Sequence, residues 1–263
     1  MNKLPSKFLL LFFTIFCFST SKASKVNTSI VKVDYNKLSE EFLSCVKEKG
    51  NTEDIRKELA ELSLEDLENG LVTHEQKLAF WLNIYNGYIQ VILSEKPDLY
   101  EDRSTFFKME QIPIAGSILS FEKIEHGIIR KSQWPLGLGY VRKWFPGKIE
   151  RKLRIKKRDY RIHFALNCGA KDCPPVAIYT AGRLNEQLNA GTKLFLKSMS
   201  NYNEELKTVS VTSLFSWFRG DFGGKSGTKK ILKENNIIST TKDVEIIYKN
   251  YDWSLYLNNF ITL

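Results

Sequence analysis

The chain has 263 residues, of which 43% are hydrophobic, and its 39 Lys or Arg against 30 Asp or Glu give a formal net charge of +9. A chain of this length and composition can bury the core of one large domain. It contains no internal repeat and no low-complexity linker, and after the first 23 residues no segment is apolar enough to cross a membrane. Repeat arrays and multi-span membrane proteins are therefore excluded.

The first 23 residues are typical of a secretory signal. Lys3 and Lys7 give a positive start, and the apolar run Phe8–Phe18 is too short to span a bilayer comfortably. Ser21-Lys-Ala23 fits a small-x-small cleavage site. We therefore expect cleavage near Ala23 and an exported protein, either periplasmic or secreted; the alternative is an uncleaved membrane anchor.

The next part of the chain is predicted to be helical. Residues 24–35 form a loose arm, and an amphipathic helix Asn36–Lys49 ends at Gly50. One or two short helices follow from Thr52 to about Leu67, and Asn69-Gly70 ends them. We assign residues 24–69 to an N-terminal helical extension and residues 70–263 to the core domain.

The clearest element is a central helix. The capping box Thr73-His-Glu-Gln76 starts it, and it continues to about Ser94 with apolar residues nearly all round, which indicates a buried helix. Asn83, Asn86 and Gln90 share one of its sides. Buried amides without partners cost roughly 1–3 kcal/mol each. These side chains therefore either clamp neighbouring backbone or line a pocket.

The remaining pattern alternates short helices and strands around a small sheet. It comprises a hairpin within residues 106–119 around Ala115-Gly116, a short helix Phe121–Lys131 capped by Ser120, a strand Tyr160–Asn167, a helix Leu184–Met199, a strand Leu206–Thr212, an aromatic turn or helix Leu214–Phe222, a helix Lys229–Asn235 and a strand Val244–Tyr248. This order predicts a helix-rich α+β domain.

A basic run, Arg151–Arg161, holds seven Lys or Arg residues. One interpretation is contact with an anionic surface such as phospholipid or an acidic glycan. The other is a solvated connection between elements. We favour the second, and export makes nucleic acid an unsuitable partner.

Reactive side chains concentrate in Arg161–Pro175. The predicted strand there ends in His163, Asn167 and Cys168, and Cys173 with a double proline follows. Polar side chains at a strand end before a stiff turn are typical of binding and catalytic sites.

Several passages of the chain carry a family resemblance. They are Ala79–Asn86, Ile124–Arg130, His163–Pro175 and Phe215–Gly223, with Tyr251–Leu255 as a closing motif. In this order and spacing they resemble the bacterial and plant family known as domain of unknown function 547, over about residues 70–257. The resemblance implies an often exported bacterial domain. It supplies no settled activity, so positions rather than a reaction are carried over.

The sharpest hypothesis is a thiol enzyme with Cys168 as nucleophile and His163 or His126 as base. Glu125 stands beside His126, and an amide of the central helix could orient an imidazole or stabilise an oxyanion. The roles would be similar to those in papain-like or transglutaminase-like sites, and the fold could be loosely of that type. The candidate catalytic residues are therefore Cys168, His163, His126, Glu125, Asn86 and Asn83.

Each of these residues also has a plainer interpretation. Without Cys17 of the signal, an odd number of cysteines remains, so at least one is unpaired or bonds another chain. Cys45 is expected in the helical core. Cys168 and Cys173 can close a short disulfide loop, which export permits and which would leave no resting nucleophile. His163 can be a hydrogen-bonded core residue.

Two other classes of site are compatible with these residues. His126, His163, Glu125 and a cysteine could bind a metal, but no HExxH or paired CxxC spacing supports this, so we name no metal and no cofactor. The five Trp and 11 Tyr suit a non-catalytic module that binds a small molecule, glycan or peptide. The sequence thus predicts a thiol-dependent hydrolase or acyl-transfer enzyme on an envelope or extracellular substrate, or such a binding module with a structural disulfide.

Overall fold

The computed structural model describes Met1 and residues 33–263. The predicted signal, its cleavage site near Ala23 and most of the predicted arm lie outside the described residues. Residues 33–263 form one unit. Helices predominate in it and its sheets are small, so the predicted α+β class is confirmed. A similarity to papain-type folds is not confirmed.

Nine α-helices and five strands make up the regular structure of the described residues. The helices are α1 (Tyr35–Lys47), α2 (Glu53–Glu61), α3 (Leu64–Gly70), α4 (His74–Glu95), α5 (Arg103–Lys108), α6 (Lys148–Leu153), α7 (Leu184–Met199), α8 (Leu214–Trp217) and α9 (Gly224–Glu234). The strands are β1 (Ile112–Ile114), β2 (Ser117–Leu119), β3 (Asn201–Asn203), β4 (Thr208–Val211) and β5 (Glu245–Tyr248). A π-helix spans Lys123–Ile129, and a 3-10 helix spans Tyr160–Phe164.

Helix α4 is the centre of the core, as its apolar surface predicts. Its capping box is formed, because Thr73 Oγ1 accepts from the backbone of Gln76 and Gln76 Oε1 accepts from the backbone of Thr73. Helix α1 packs on α4 where Gly87 leaves room for the ring of Phe42. That ring lies 5.1 Å from the ring of Tyr88. The N-terminal helices thus share the core of the later residues, and the boundary near residue 70 stays a prediction.

The side-chain amides of Asn83 and Asn86 on α4 bind neighbouring backbone, so they are clamps and not pocket-lining groups. Asn83 donates to the carbonyl of Tyr179 and accepts from its N–H, each at 2.8 Å. Asn86 donates to the carbonyl of Ala165 at 2.9 Å and accepts from the N–H of Asn167 at 2.8 Å. Both asparagine side chains are fully buried. They fix two irregular segments against the central helix without any sheet.

The predicted strand Tyr160–Asn167 is wrong, because a 3-10 helix occupies Tyr160–Phe164. Asp159 starts this helix by accepting from the backbone N–H of Arg161 at 3.0 Å. The backbone groups just after the helix, on Ala165 and Asn167, are taken by Asn86, as described above, so no strand ladder needs to satisfy them. The alternation of apolar residues here reflects burial on both sides of the segment and not a pleated strand.

The other short elements agree largely with the sequence. Strands β1 and β2 form the predicted hairpin, with Ala115 and Gly116 at positive φ in its turn. In the second sheet β4 pairs antiparallel with β3 and parallel with β5. Helix α9 begins at Gly224, five residues before the predicted Lys229, so the double glycine opens this helix instead of ending the previous segment. Among the described residues, no helix has the length and apolarity needed to cross a membrane.

Replacing Asn83 with Ala is expected to destabilise the protein by about 2–4 kcal/mol, because the N–H and the carbonyl of Tyr179 both lose their partner inside the core. The measurement is the free energy of unfolding in urea. Asn201→Ala at an exposed position is the control and should change little. Equal stability of the two variants would show that the clamp contributes nothing.

Candidate functional site

A cavity of about 330 Å³ lies where the π-helix, the segment after Tyr160, helix α8 and the C-terminal segment meet. Cavities of this size accommodate small ligands or one unit of a polymer. Four of the predicted site residues line it, together with aromatic and charged neighbours. The lining is Tyr85, Arg103, Ser104, Phe107, Lys108, Glu122, Glu125, His126, His163, Leu166, Cys168, Pro174, Leu214, Trp217, Phe218, Tyr251 and Trp253.

The buried carboxylate of Asp221 organises one wall of this cavity. Its Oδ2 accepts from Nε of Arg130 at 2.7 Å and pairs with Nε2 of His163 at 2.8 Å. Its Oδ1 accepts from Nη1 of Arg158 at 2.7 Å. Burial alone would raise the pKa of this carboxyl, but the hydrogen bond from His163 and the charge of Arg130 hold it well below its usual range. Asp221 is therefore an anion.

This anion determines the tautomer of His163. Because a carboxylate only accepts, Nε2 carries the proton, and Nδ1 keeps its lone pair. No described residue donates to Nδ1, and the imidazole lines the cavity. Phe218 stacks on the ring, with centroids 4.1 Å apart. Burial, with the nearby charge of Arg130, lowers the pKa of His163 to about 4 despite its bond to Asp221. The imidazole is therefore neutral at neutral pH and presents an acceptor.

His126 presents the opposite group. Arg130 contacts Nδ1 of His126 through Nη1, and since a guanidinium only donates, Nδ1 accepts and Nε2 carries the proton. Burial and the charge of Arg130 lower the pKa of His126 well below its usual value, so this imidazole is neutral too. A neutral imidazole with Nε2–H is a hydrogen-bond donor at the cavity wall.

Glu125 adds a buried carboxyl beside His126. Burial raises its pKa, although the charge of Arg130 opposes this, and the hydroxyl of Tyr85 lies 3.5 Å from Oε2. A raised pKa favours the protonated form, which can donate a proton. The π-helix is formed by i to i+5 bonds, such as Arg130 N–H to the Glu125 carbonyl at 2.7 Å. Such turns often occur at functional sites.

Cys168 and Cys173 form a disulfide, which was the plainer of the two interpretations of these cysteines. Cys168 lines the cavity, and the hydroxyl of Tyr251 lies 3.3 Å from Sγ of Cys173. A disulfide sulfur carries no thiolate, so Cys168 is not a nucleophile in this state. Cys45 is the free cysteine of the described residues.

An aromatic wall, defined here as Trp217 of helix α8 with Tyr251 and Trp253 of the C-terminal segment, lines the cavity. The rings of Trp217 and Trp253 stack 5.5 Å apart at 21°, and Tyr251 lies 4.8 Å from Trp253. The guanidinium of Arg103 lies 5.0 Å from the Trp253 ring, in a cation–π contact. Stacked aromatic faces with a charged neighbour are a common platform for sugar rings and peptide side chains.

The structure brings together His126, His163, Glu125 and Cys168, but it does not bring Asn83 or Asn86 to the cavity. Both amides are used on backbone, which contradicts their assignment as oxyanion or imidazole partners. Their role is to hold the segments that carry the other residues.

Sequence reasoning missed Asp221 and Arg130. Each is a charged residue inside a mostly apolar passage, Phe215–Gly223 and Ile124–Arg130. Charged side chains are almost never fully buried unless they are paired, so two opposite charges in two apolar passages could have indicated this ion pair.

A metal centre finds no support in the part of the chain that the structure describes. No group of three or more His, Cys, Asp or Glu side chains is placed to hold an ion there. Nδ1 of His126 and Nε2 of His163 are already engaged by Arg130 and Asp221.

Comparison with known protein families finds a match. The family model described as "Protein of unknown function, DUF547" matches residues 62–196, just over half of the chain. No curated protein and no solved structure matches. The matched range contains Glu125, His126, His163 and both disulfide cysteines, whereas Asp221 and the aromatic wall lie beyond it.

Proposed function

The chain belongs to the DUF547 family of proteins of unknown function, and we propose that it is a hydrolase in which His163 activates a water molecule. One observation carries the proposal: Asp221 binds Nε2 of His163, which leaves Nδ1 without a protein donor among the described residues, on a ring that lines the cavity. A carboxylate behind a neutral imidazole is the arrangement by which many hydrolases orient a general base.

The reaction that suits this geometry is the hydrolysis of an acyl ester or amide. Nδ1 of His163 removes a proton from water, and the water oxygen bonds to the acyl carbon. The carbonyl oxygen, which becomes negative, accepts from Nε2–H of His126. The bond to the leaving group then breaks, and the leaving group takes the proton from His163. Asp221 stabilises the transient imidazolium and thus acts as a positioning residue.

The low pKa of His163 has two opposing effects on this step. The base form is fully populated at neutral pH, since the pKa is about 4. A base of that pKa attracts the water proton weakly, but its conjugate acid releases the proton readily to the leaving group. Burial raises the pKa of Glu125, which favours its protonated form and makes this carboxyl a second candidate donor. The acid–base pair therefore favours substrates whose leaving group needs protonation.

Water replaces the cysteine that the sequence analysis favoured as nucleophile. Cys168 is bonded to Cys173, and a disulfide cannot attack a carbonyl. In this proposal the disulfide stiffens the turn at Gly169, which has φ of +87° and packs against Leu93. It forms part of the cavity wall beside the base.

The substrate class follows from the aromatic wall. Trp217 and Trp253 offer a stacked face, and Arg103, Lys108 and Glu122 place charges near it. A glycan or peptide that carries the acyl group fits such a wall. The same wall supports the second candidate function, a module that binds a glycan or peptide without turning it over.

Export is part of the proposal, and it makes the substrate an envelope or extracellular polymer. The positive start, short apolar run and Ala23 site of the sequence support it. A disulfide also persists best in an oxidising compartment. Mass spectrometry of the protein from an expressing cell should find a mature N-terminus at Ser24 outside the cytoplasm. An intact Met1 in the cytoplasmic fraction would contradict the proposed export.

Hydrolysis of acyl esters and acylated glycans or peptides should depend on His163. His163→Gln keeps a donor toward Asp221 but removes the base, so we expect a loss of roughly 100-fold or more in kcat with a nearly unchanged binding constant. Turnover is followed by acid release and binding by calorimetry. His126→Gln and Glu125→Gln should also lower kcat, because each removes or alters a donor at the cavity.

Two control variants and one result for the wild type distinguish the water-based hydrolase from a thiol enzyme and from a binding module. His74→Gln changes a histidine outside the cavity and should leave turnover intact. The paired variant Cys168→Ser with Cys173→Ser should retain turnover if water is the nucleophile, whereas a thiol enzyme would lose it. Ligand binding with no turnover by the wild type would favour the binding module instead.

A further inference from the structure

Residues 134–145, called here the aromatic loop, form a surface loop whose apolar side chains are largely uncovered by the rest of the fold. Seven of its apolar side chains are exposed, including Trp144 at 86% and Phe145 at 92%. The others are Trp134, Leu136, Leu138, Tyr140 and Val141. Soluble proteins rarely expose contiguous apolar surface of this kind unless it meets a partner or a membrane.

The aromatic loop is built on a defined backbone. Its first part, residues 134–141, is closed because the N–H of Trp134 donates to the carbonyl of Val141 at 2.9 Å. The N–H of Lys143 donates to the carbonyl of Ser132 at 2.8 Å just outside it. Arg158 fixes its middle by donating to the carbonyl of Gly139 at 2.8 Å. The loop therefore has a fixed backbone while these side chains stay exposed.

Positive charge surrounds this loop. Residues 131–158 contain ten Lys or Arg and a single acid, Glu150, which leaves +9, equal to the net charge of the whole chain. Glu150 is buried and pairs with Lys143 at 3.0 Å. Within the described part of the chain, the exposed Arg142, Lys156 and Lys157 form no ion pair, and neither does Lys148.

We propose that the aromatic loop and the cations of residues 142–157 form a docking surface for an anionic phospholipid membrane. Trp and Tyr favour the headgroup level of a bilayer, and Phe and Leu favour the acyl boundary just below it. Lys and Arg beside them gain electrostatic attraction from anionic headgroups. The exposed aromatic side chains suit the boundary between headgroups and acyl chains, and the unpaired cations suit the anionic headgroups.

Alternative partners match only one half of this surface. Nucleic acid would use the cations but has no contact for a projecting Leu136, Trp144 and Phe145. A protein groove would cover the apolar side chains, but four free cations would need a matching acidic rim. A bilayer with anionic headgroups satisfies both halves without further assumptions.

The docking surface is joined to the segment that carries Asp221 by Arg158 and by a backbone hydrogen bond. Arg158 binds Gly139 of the aromatic loop and Oδ1 of Asp221 with the same Nη1 atom. The N–H of Gly220 also donates to the carbonyl of Leu138 at 2.8 Å. Docking would therefore hold the Asp221–His163 pair at the lipid surface, where an acylated substrate of the envelope could be reached.

Co-sedimentation with vesicles tests the proposal. The chain comprising residues 24–263 is used, because the apolar run Phe8–Phe18 would itself bind lipid and the unit 33–263 holds the core. We expect it to bind vesicles of equimolar phosphatidylcholine and phosphatidylglycerol much more strongly than phosphatidylcholine alone. High salt should weaken this binding, since it screens the cations.

Two paired variants address the two halves of the surface. Trp144→Ala with Phe145→Ala should lower the partition coefficient at least about tenfold, because both apolar side chains are lost. Lys156→Glu with Lys157→Glu should lower it by about fivefold or more for each cation. These side chains are exposed, so both variants are expected to fold, which circular dichroism checks.

Matched controls lie on helix α7. Leu194→Ala removes an exposed apolar side chain there, and Lys193→Glu with Lys197→Glu reverses exposed cations. Neither should alter vesicle binding by more than a small factor. The proposal is overturned if the wild type does not bind phosphatidylglycerol vesicles, or if the α7 variants lose binding as much as the loop variants. Self-association that disappears in Trp144→Ala with Phe145→Ala, without vesicle binding, would also overturn it in favour of a protein partner.

We expect separate variants to lose vesicle binding and turnover. The loop variants keep His163, His126 and Glu125, so they should hydrolyse a soluble substrate at the wild-type rate. His163→Gln should bind vesicles as the wild type does.

Discussion

The ion pair of Asp221 with Arg130 is the interaction on which the rest of the site depends. A carboxylate and a guanidinium that are both almost fully buried are stable only when they pair and make further hydrogen bonds, and here, among the described residues, only Nη2 of Arg130 lacks a partner within the pair. The carboxylate of Asp221 accepts hydrogen bonds from Arg130, Arg158 and His163. Arg130 also donates to His126. Since each contact is directional, the pair places the proton of both histidines on Nε2 but engages a different ring nitrogen in each, Nε2 of His163 and Nδ1 of His126. The cavity therefore receives one acceptor nitrogen and one donor nitrogen from two neutral rings, and losing either charge would disturb both.

A second constraint lies in helix α4, which positions the segments that carry this chemistry. Its clamps hold irregular backbone at Tyr179 and on both sides of Leu166, between His163 and Cys168. A side-chain amide can satisfy an N–H and a carbonyl at once, as a neighbouring strand would. The protein thus presents His163 and the disulfide from non-regular structure against a rigid helix, which keeps loop residues precise enough for a site.

The sequence predicts the features that depend on local pattern. The capping box and apolar surface of α4, the hairpin at Ala115-Gly116 and the α+β class were all readable from neighbouring residues. So was the grouping of His126 and His163, although this came from the family motifs. The strand at Tyr160–Asn167 was wrong because burial on two sides imitates alternation, and the satisfying partner, Asn86, lies about 80 residues earlier in the chain. The Asp221–Arg130 pair spans 91 residues, and no periodicity reports such a contact. The Cys168 nucleophile failed for another reason: spacing permits a thiol or a disulfide equally.

The site as proposed depends on a His163 ring that burial keeps neutral and whose proton Asp221 fixes on Nε2, which leaves Nδ1 as an acceptor. Nitrogen-15 NMR of the imidazoles as a function of pH tests this directly, with the His163 signals assigned by their absence in His163→Gln. We predict the Nε2–H tautomer at neutral pH and protonation only near the pKa of about 4. A His163 ring that titrates near the ordinary histidine value of about 6.5, or that carries its neutral proton on Nδ1, would contradict it.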